Sequence, residues 1–254
     1  MSGLDAAQLA IFAVLSLPVL YLIYSHGRRG FLGWGFLLIY CILRLTGAGM
    51  AISNSGPSAQ IISSIGLSPM LLALDGILHE ACYRRTYRYQ ALNKGLEYAT
   101  MAVYHVLIVT GVALVGSGAG GLAGDQPEAS DLKHVKVGMA LLEIGWGFLV
   151  LWALWTLKER SHAVSTAREG SILLYGVLVA LFVEEIQLIY SLLAQCTQRA
   201  DLNPTTGNLA GRVVLGFLPG VIATVVLVVV GVWTRGVSPK KSVNELDPRR
   251  SGWV

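Results

Sequence analysis

Residues 171–195 read SILLYGVLVALFVEEIQLIYSLLAQ, an apolar stretch with two adjacent acids, Glu184 and Glu185, near its middle. A helix needs about 20 apolar residues to cross a bilayer, so this stretch is long enough to be a transmembrane helix. An ionisable side chain at the centre of such a helix costs roughly 2.5–3.5 kcal/mol on insertion scales, and its presence therefore needs a physical reason. The stretch thus indicates both the fold class and the place to look for function.

Six further apolar stretches of similar length predict an all-α polytopic membrane protein, a bundle of seven transmembrane helices. The seven predicted spans are 6–25, 31–53, 60–81, 95–117, 135–157, 171–195 and 211–234. The first is not a cleavable signal peptide, because it lacks a basic region in front and runs too long. We expect one transmembrane domain over residues 1–237 and a disordered cytosolic tail over 238–254.

The composition excludes several classes of protein. Of 254 residues, 54% are hydrophobic and 13% are charged, against about a quarter charged in soluble domains, and the mean hydropathy is +0.61. A soluble enzyme, a nucleic-acid-binding module and a disordered chain are therefore excluded. Three cysteines, with neither a CxxC motif nor zinc-type Cys/His spacing, give no disulfide framework and no metal site. We expect no metal, no other cofactor and no nucleic-acid partner.

The basic residues indicate the orientation of the chain. Of the 19 basic residues, 14 follow the first, third, fifth or seventh predicted helix. The positive-inside rule then places the N-terminus in the lumen or outside the cell and the C-terminus in the cytosol. The net charge of +4 is a topology signal and does not indicate an anionic partner.

Ionisable residues inside the predicted spans are the most informative feature. Glu80 and Glu97 lie near the basic loop after the third helix, where they can reach Arg84, Arg85 or Lys94. The other polar groups lie deeper and come from five helices at similar depth, which predicts that they converge: Arg44, Asp75, His105, Glu143, Glu184 and Glu185. One interpretation is an internal salt-bridge network around Arg44. A single deep arginine cannot neutralise four deep acids, however, and an unpaired carboxyl group in a low dielectric stays neutral and is a proton donor.

The predicted sixth helix places these groups on two faces. Glu184 shares one helical stripe with Gln187, Ser191 and Gln195, so that stripe faces the interior or a wet cavity. Glu185 is rotated by about 100° onto an apolar face, as if towards a nonpolar substrate.

Neighbouring helices add further candidates. Asp75 lies one turn before His79, so the two can touch, and Glu143 lies one turn before Trp146, whose ring can stabilise a developing cation. We predict catalytic roles for Glu184, Glu185, Glu143 and Asp75, and substrate contacts for Arg44, His105, Trp146, Gln187 and Tyr190. A metal site formed by His105, Glu143 and Glu184 is a less favoured alternative.

Short motifs resemble an uncharacterised fungal family of seven-helix integral-membrane proteins, a domain of unknown function. The residues that carry the resemblance are Arg44, Gly66-Leu67-Ser68-Pro69, Leu188-Ile189-Tyr190-Ser191-Leu192, and Asn203-Pro204…Gly207 before Arg212. The resemblance implies the fold more than an activity. The family pattern implies a basic residue just before the Leu-Ile-Tyr segment, where this chain has Gln187, and an acid after the proline of the seventh helix, where it has Gly220. In size and helix number the chain is also similar to fungal integral-membrane terpene cyclases.

Two functions are consistent with these patterns. The first is an endoplasmic-reticulum enzyme of fungal secondary metabolism that performs cofactor-independent cyclisation, epoxide opening or isomerisation of a lipophilic polyketide or terpenoid. In it, Glu185 or Glu143 donates a proton, Glu184 or Asp75 accepts one, and Arg44 orients a substrate oxygen. The second is a proton-coupled transporter, or a membrane sensor of a lipophilic small molecule, with the same acids as a relay. Membrane lipids are the other expected partners, and the oligomeric state stays open.

Overall fold

The computed structural model describes residues 3–53, 66–85, 94–124, 126–159, 165–204 and 207–235. We number the long helices α1 (Gly3–Arg28), α2 (Gly30–Ser53), α3 (Leu67–Arg85), α4 (Lys94–Leu122), α5 (Ala129–Lys158), α6 (Ser165–Thr197) and α7 (Leu209–Thr234). Six of these, all but α3, are long and apolar enough to cross a membrane, which confirms an all-helical membrane protein. The predicted tail at 238–254, the first residues of the third predicted span and the side chain of Glu97 lie outside the described residues.

The chain reverses direction at Gly27, at the end of α1. Gly27 has φ 63° and ψ −157°, in the positive-φ region that glycine adopts without a steric penalty. The two helices then run antiparallel, because Leu9 lies beside Gly49 and the rings of His26 and Trp34 are 4.8 Å apart. The first two predicted spans therefore form one helical hairpin.

Helix α3 lies at the centre of the bundle and packs against the α1–α2 hairpin, α4, α5 and α6. Most of its residues are buried, including the polar Asp75 and Glu80. It crosses α2 very closely at Gly33 and Gly76, where a Cβ on either glycine would meet the backbone of the other helix. The third helix is thus shielded by its neighbours, so its polar residues do not face lipid.

Helix α7 begins irregularly and packs against α6 and the α1–α2 hairpin. Its segment Arg212–Phe217 is π-helical, with the Leu218 amide donating to the carbonyl of Val213, and Pro219 follows directly. Proline cannot donate a backbone hydrogen bond, and π-helical turns absorb such interruptions, often at functional sites. The irregular turn ends three residues before Gly220, where α7 meets the deep polar residues.

Candidate functional site

Helix α6 turns one polar stripe inward, as the sequence predicts. The side chain of Glu184 is fully buried at 0% exposure, and Gln187 and Gln195 are also buried. Glu185 is only half-buried and lies beside Phe182 and Ile189, which are exposed. The two adjacent glutamates therefore lie on different faces of the same helix.

Arg44, on α2, reaches the same interior region as Glu184. The Nε of Arg44 donates a hydrogen bond to the Tyr40 hydroxyl over 3.1 Å, and its guanidinium lies 5.2 Å from the centre of the Tyr40 ring. Arg44 and Tyr40 both interact electrostatically with Glu184. Tyr40 is a site residue that sequence reasoning missed; its position one turn before Arg44 was the available signal.

Gly220 of α7 closes this region. A Cβ at Gly220 would meet the Tyr40 hydroxyl and would lie 2.9 Å from Oε1 of Gln187. Gln187 and Gly220 therefore lie against each other, with the Tyr40 hydroxyl beside them.

Several buried polar atoms in this region have no hydrogen-bond partner among the described residues. They are Nη2 of Arg44, both carboxyl oxygens of Glu184, Oε1 of Gln187 and the hydroxyl of Tyr190. A buried polar group without a partner typically costs about 1–3 kcal/mol. We call Tyr40, Arg44, Glu184, Gln187 and Gly220 the Arg44 site. Its unpaired donors and acceptors are those that a bound polar group would satisfy.

Asp75 and His105 lie together at a second place, between α3 and α4. Oδ2 of Asp75 is 3.7 Å from Nδ1 of His105, but that nitrogen donates instead to the carbonyl of Met101 over 2.8 Å. The nearby Tyr104 hydroxyl is buried and also without a partner among the described residues. The proximity of Asp75 to His105 joins two helices, and the sequence, which predicts a contact of Asp75 with His79 on its own helix, does not predict it.

Glu143 and Glu185 form a third group, at the seam between α5 and α6. Both side chains are half-buried and lie within electrostatic range of each other. The indole N–H of Trp146 donates to the carbonyl of Leu181 over 3.0 Å and so joins the two helices. Trp146 thus bridges the two helices beside this acid pair, of which Oε2 of Glu185 is buried with no hydrogen-bond partner among the described residues.

The deep polar residues are therefore distributed over three places instead of one. Arg44, Glu184 and Gln187 come together, with Tyr190 further along α6 against Gly216, while the Asp75 and Glu143 groups stand apart from them. Depth can be counted along a sequence, but the direction in which a side chain points depends on helix rotation, which a residue count does not give. Within the described residues, no group of three or more His, Cys, Asp or Glu side chains is arranged to hold a metal ion.

A fourth polar cluster surrounds Glu80, at the end of the bundle where α1 turns into α2. Its Oε1 accepts from Arg84 over 2.5 Å and lies 2.8 Å from His26 Nδ1, and its Oε2 accepts from Trp34 over 3.1 Å. The predicted contact with Arg84 is confirmed, but Glu80 is buried at 2% exposure and does not reach out to solvent. His26 and Trp34 were missed, because they lie at the α1–α2 turn and follow no acidic or basic pattern.

Comparison with known proteins gives a family. A family described as "Domain of unknown function (DUF7702)" matches residues 1–237, which include all seven helices. No curated protein and no solved structure matches the chain.

Proposed function

The chain belongs to the DUF7702 family, a domain of unknown function, and we propose that it is an integral-membrane enzyme acting by acid–base chemistry. Its substrate is a lipophilic polyketide or terpenoid intermediate of secondary metabolism, and it needs no cofactor. The observation that supports this proposal is the Arg44 site, in which a guanidinium and a carboxyl group are buried close together with unpaired atoms. A substrate carbonyl oxygen placed there accepts a hydrogen bond from the guanidinium, and the carboxyl group lies beside the neighbouring substrate carbon.

The arrangement of the Arg44 site favours isomerisation among the acid–base reactions. Arginine stays charged in proteins, so a buried Arg44 requires a negative counter-charge, and Glu184 supplies it. The Glu184 carboxylate removes a proton from a carbon next to a substrate carbonyl. The oxyanion that forms accepts hydrogen bonds from Arg44 Nη2 and the Tyr40 hydroxyl. Glu184 then returns the proton to a different carbon, so one carboxyl group completes the cycle.

Conversion by variants of the two adjacent glutamates tests this proposal. Microsomes containing the full chain are fed lipophilic unsaturated ketones and epoxides, and products are measured for wild type, Glu184→Gln and Glu185→Gln. We expect Glu184→Gln to lose about 10²–10⁴-fold in rate, the usual share of general acid–base catalysis, and Glu185→Gln, on the other face of α6, to stay near wild type. Undiminished conversion by Glu184→Gln would overturn the Glu184 mechanism. If the wild-type chain converts none of these compounds, the proposal of an enzyme is overturned and the transporter is favoured.

The alternative function, a proton-coupled transporter or sensor, draws support from a different observation. Glu143 and Glu185 lie within electrostatic range of each other at the α5–α6 seam, away from the Arg44 site. Acids in separate groups across a bundle are a usual feature of proton relays. Equal loss of function in Glu184→Gln and Glu185→Gln would favour this alternative over the enzyme.

We also propose that α3 is a seventh membrane span and that the protein resides in the endoplasmic reticulum. At about 1.5 Å per residue, the Leu67–Arg85 helix is close to the roughly 30 Å hydrocarbon thickness. Seven spans place the termini on opposite sides, and the basic residues favour a luminal N-terminus. Epitope tags on the two termini, probed after selective permeabilisation of the plasma membrane, should therefore show only the C-terminal tag. Simultaneous access to both tags would contradict seven spans.

A further inference from the structure

An apolar groove lies on the outer surface of the bundle, where α1 turns into α2. It has a volume of about 670 Å³ and is lined by Leu20, Ile23, Tyr24, Gly27, Arg28 and Phe31. Leu20, Tyr24 and Phe31 are exposed, Tyr24 at 87%. Because α1 is an apolar membrane-spanning helix that ends at Arg28, the groove runs along the membrane-facing surface up to the bilayer interface.

Two arginines stand at the polar end of this groove. Arg28 is exposed, and among the described residues its guanidinium has no hydrogen bond or ion pair. Arg235, at the end of α7, donates to the Tyr21 hydroxyl over 3.3 Å and stacks 5.7 Å from the centre of that ring. Tyr21 lies one turn before Tyr24, which lines the groove, so Arg235 lies beside the groove on the same face of α1.

We propose that this groove binds one anionic phospholipid, with an acyl chain along Leu20 and Phe31 and the phosphate on Arg28. The charge pattern favours a phospholipid, because an unpaired guanidinium beside an apolar groove is complementary to a phosphodiester joined to a hydrocarbon chain. The exposed Tyr24 lies at headgroup level, where amphipathic aromatic rings are enriched. Arg235 adds a second positive charge on the same face, so an anionic headgroup binds better than a zwitterionic one.

Native mass spectrometry of the purified full chain tests this lipid site. The protein is released from micelles supplemented with phosphatidylserine, with phosphatidylcholine or with glycerophosphoserine, which carries the headgroup without chains. We expect one phosphatidylserine to be retained in preference to phosphatidylcholine and glycerophosphoserine not to bind. Arg28→Gln should weaken the retained complex about fivefold, the usual effect of one basic residue at an anionic membrane surface.

Two matched variants separate the groove from general attraction between charges. Arg199→Gln removes an exposed arginine that is paired with Asp201, and it should leave phosphatidylserine binding unchanged. Leu20→Trp fills the groove and should displace the lipid, whereas Leu17→Trp, also on an exposed position of α1 but outside the groove, should not. Equal retention of both lipids by wild type, equal effects of Arg28→Gln and Arg199→Gln, or equal effects of the two tryptophan variants would overturn the proposal.

Discussion

At the scale of single residues, Glu80 and Glu184 show two ways of burying a carboxyl group. The carbonyl of Gly231 can only accept, so His26 donates to it from Nε2 over 3.0 Å. Glu80 accepts hydrogen bonds from Trp34 and Arg84 on its two oxygens, and its Oε1 also lies 2.8 Å from His26 Nδ1. Glu80 is thus fully paired, whereas Glu184 has no hydrogen-bond partner among the described residues. A paired acid stabilises a fold, and an unpaired one is available for chemistry.

The sequence predicts some of these residues and misses others for identifiable reasons. Arg44 and Glu184 were found because a charge in an apolar stretch is conspicuous at any helix rotation. Tyr40, Trp34 and Gly220 are ordinary residues of membrane helices, and only the crossing of three helices brings them to a polar group. The predicted contact between Asp75 and His79 rests on spacing within one helix, whereas the approach of Asp75 to His105 is between helices.

At the scale of helices, the crossing of α2 over α3 controls how the central helix packs. A methyl group added at Gly33 would meet backbone atoms of Gly76 and Ile77, which cannot move aside as a side chain can. Gly35, two residues along the same helix, has open space beside it. Gly33 and Gly35 therefore form a matched pair: both lie on α2, but only Gly33 is in close contact with α3.

We expect Gly33→Ala to destabilise the bundle by about 1–3 kcal/mol, the usual cost of overpacking. Gly35→Ala should be neutral or slightly stabilising, because alanine is the better helix former. Thermal unfolding of the two variants in the same detergent measures the difference. Equal melting temperatures for Gly33→Ala and wild type would show that α2 and α3 do not cross this closely.

Helix α3 also shows what the hydropathy of single helices cannot predict, namely which helix lies at the centre of the bundle. Lipid contact requires apolar residues, so the six lipid-facing helices are visible in the sequence and all six were predicted. Helix α3 contacts other helices on most of its surface and carries Asp75, Glu80, Arg84 and Arg85, so its composition falls below that of an ordinary span. Its helical character was predictable, but its central position was not, because no single-helix pattern encodes which neighbours surround it.

At the scale of the whole molecule, the buried charges decide what the interior can do. The polar groups around Glu80 are paired at one end of the bundle: His26 with Glu80, and Arg84 with both Glu80 and Glu169. At the other end Arg212 lies 3.5 Å from Asp5. Arg44 lies between these clusters, and among the described residues no ion pair contacts it directly. Glu184 interacts with Arg44 electrostatically, and these two buried groups are the centre of the proposed function.

A double-mutant cycle on Arg44 and Glu184 tests this central claim most directly, with the free energy of unfolding measured in mixed micelles. Arg44→Met and Glu184→Leu should each cost about 3–5 kcal/mol, because each leaves the other charge buried without a partner. The double variant removes both charges and should be at least as stable as either single variant. Losses that simply add in the double variant would contradict the account, since Arg44 and Glu184 would then not share one site.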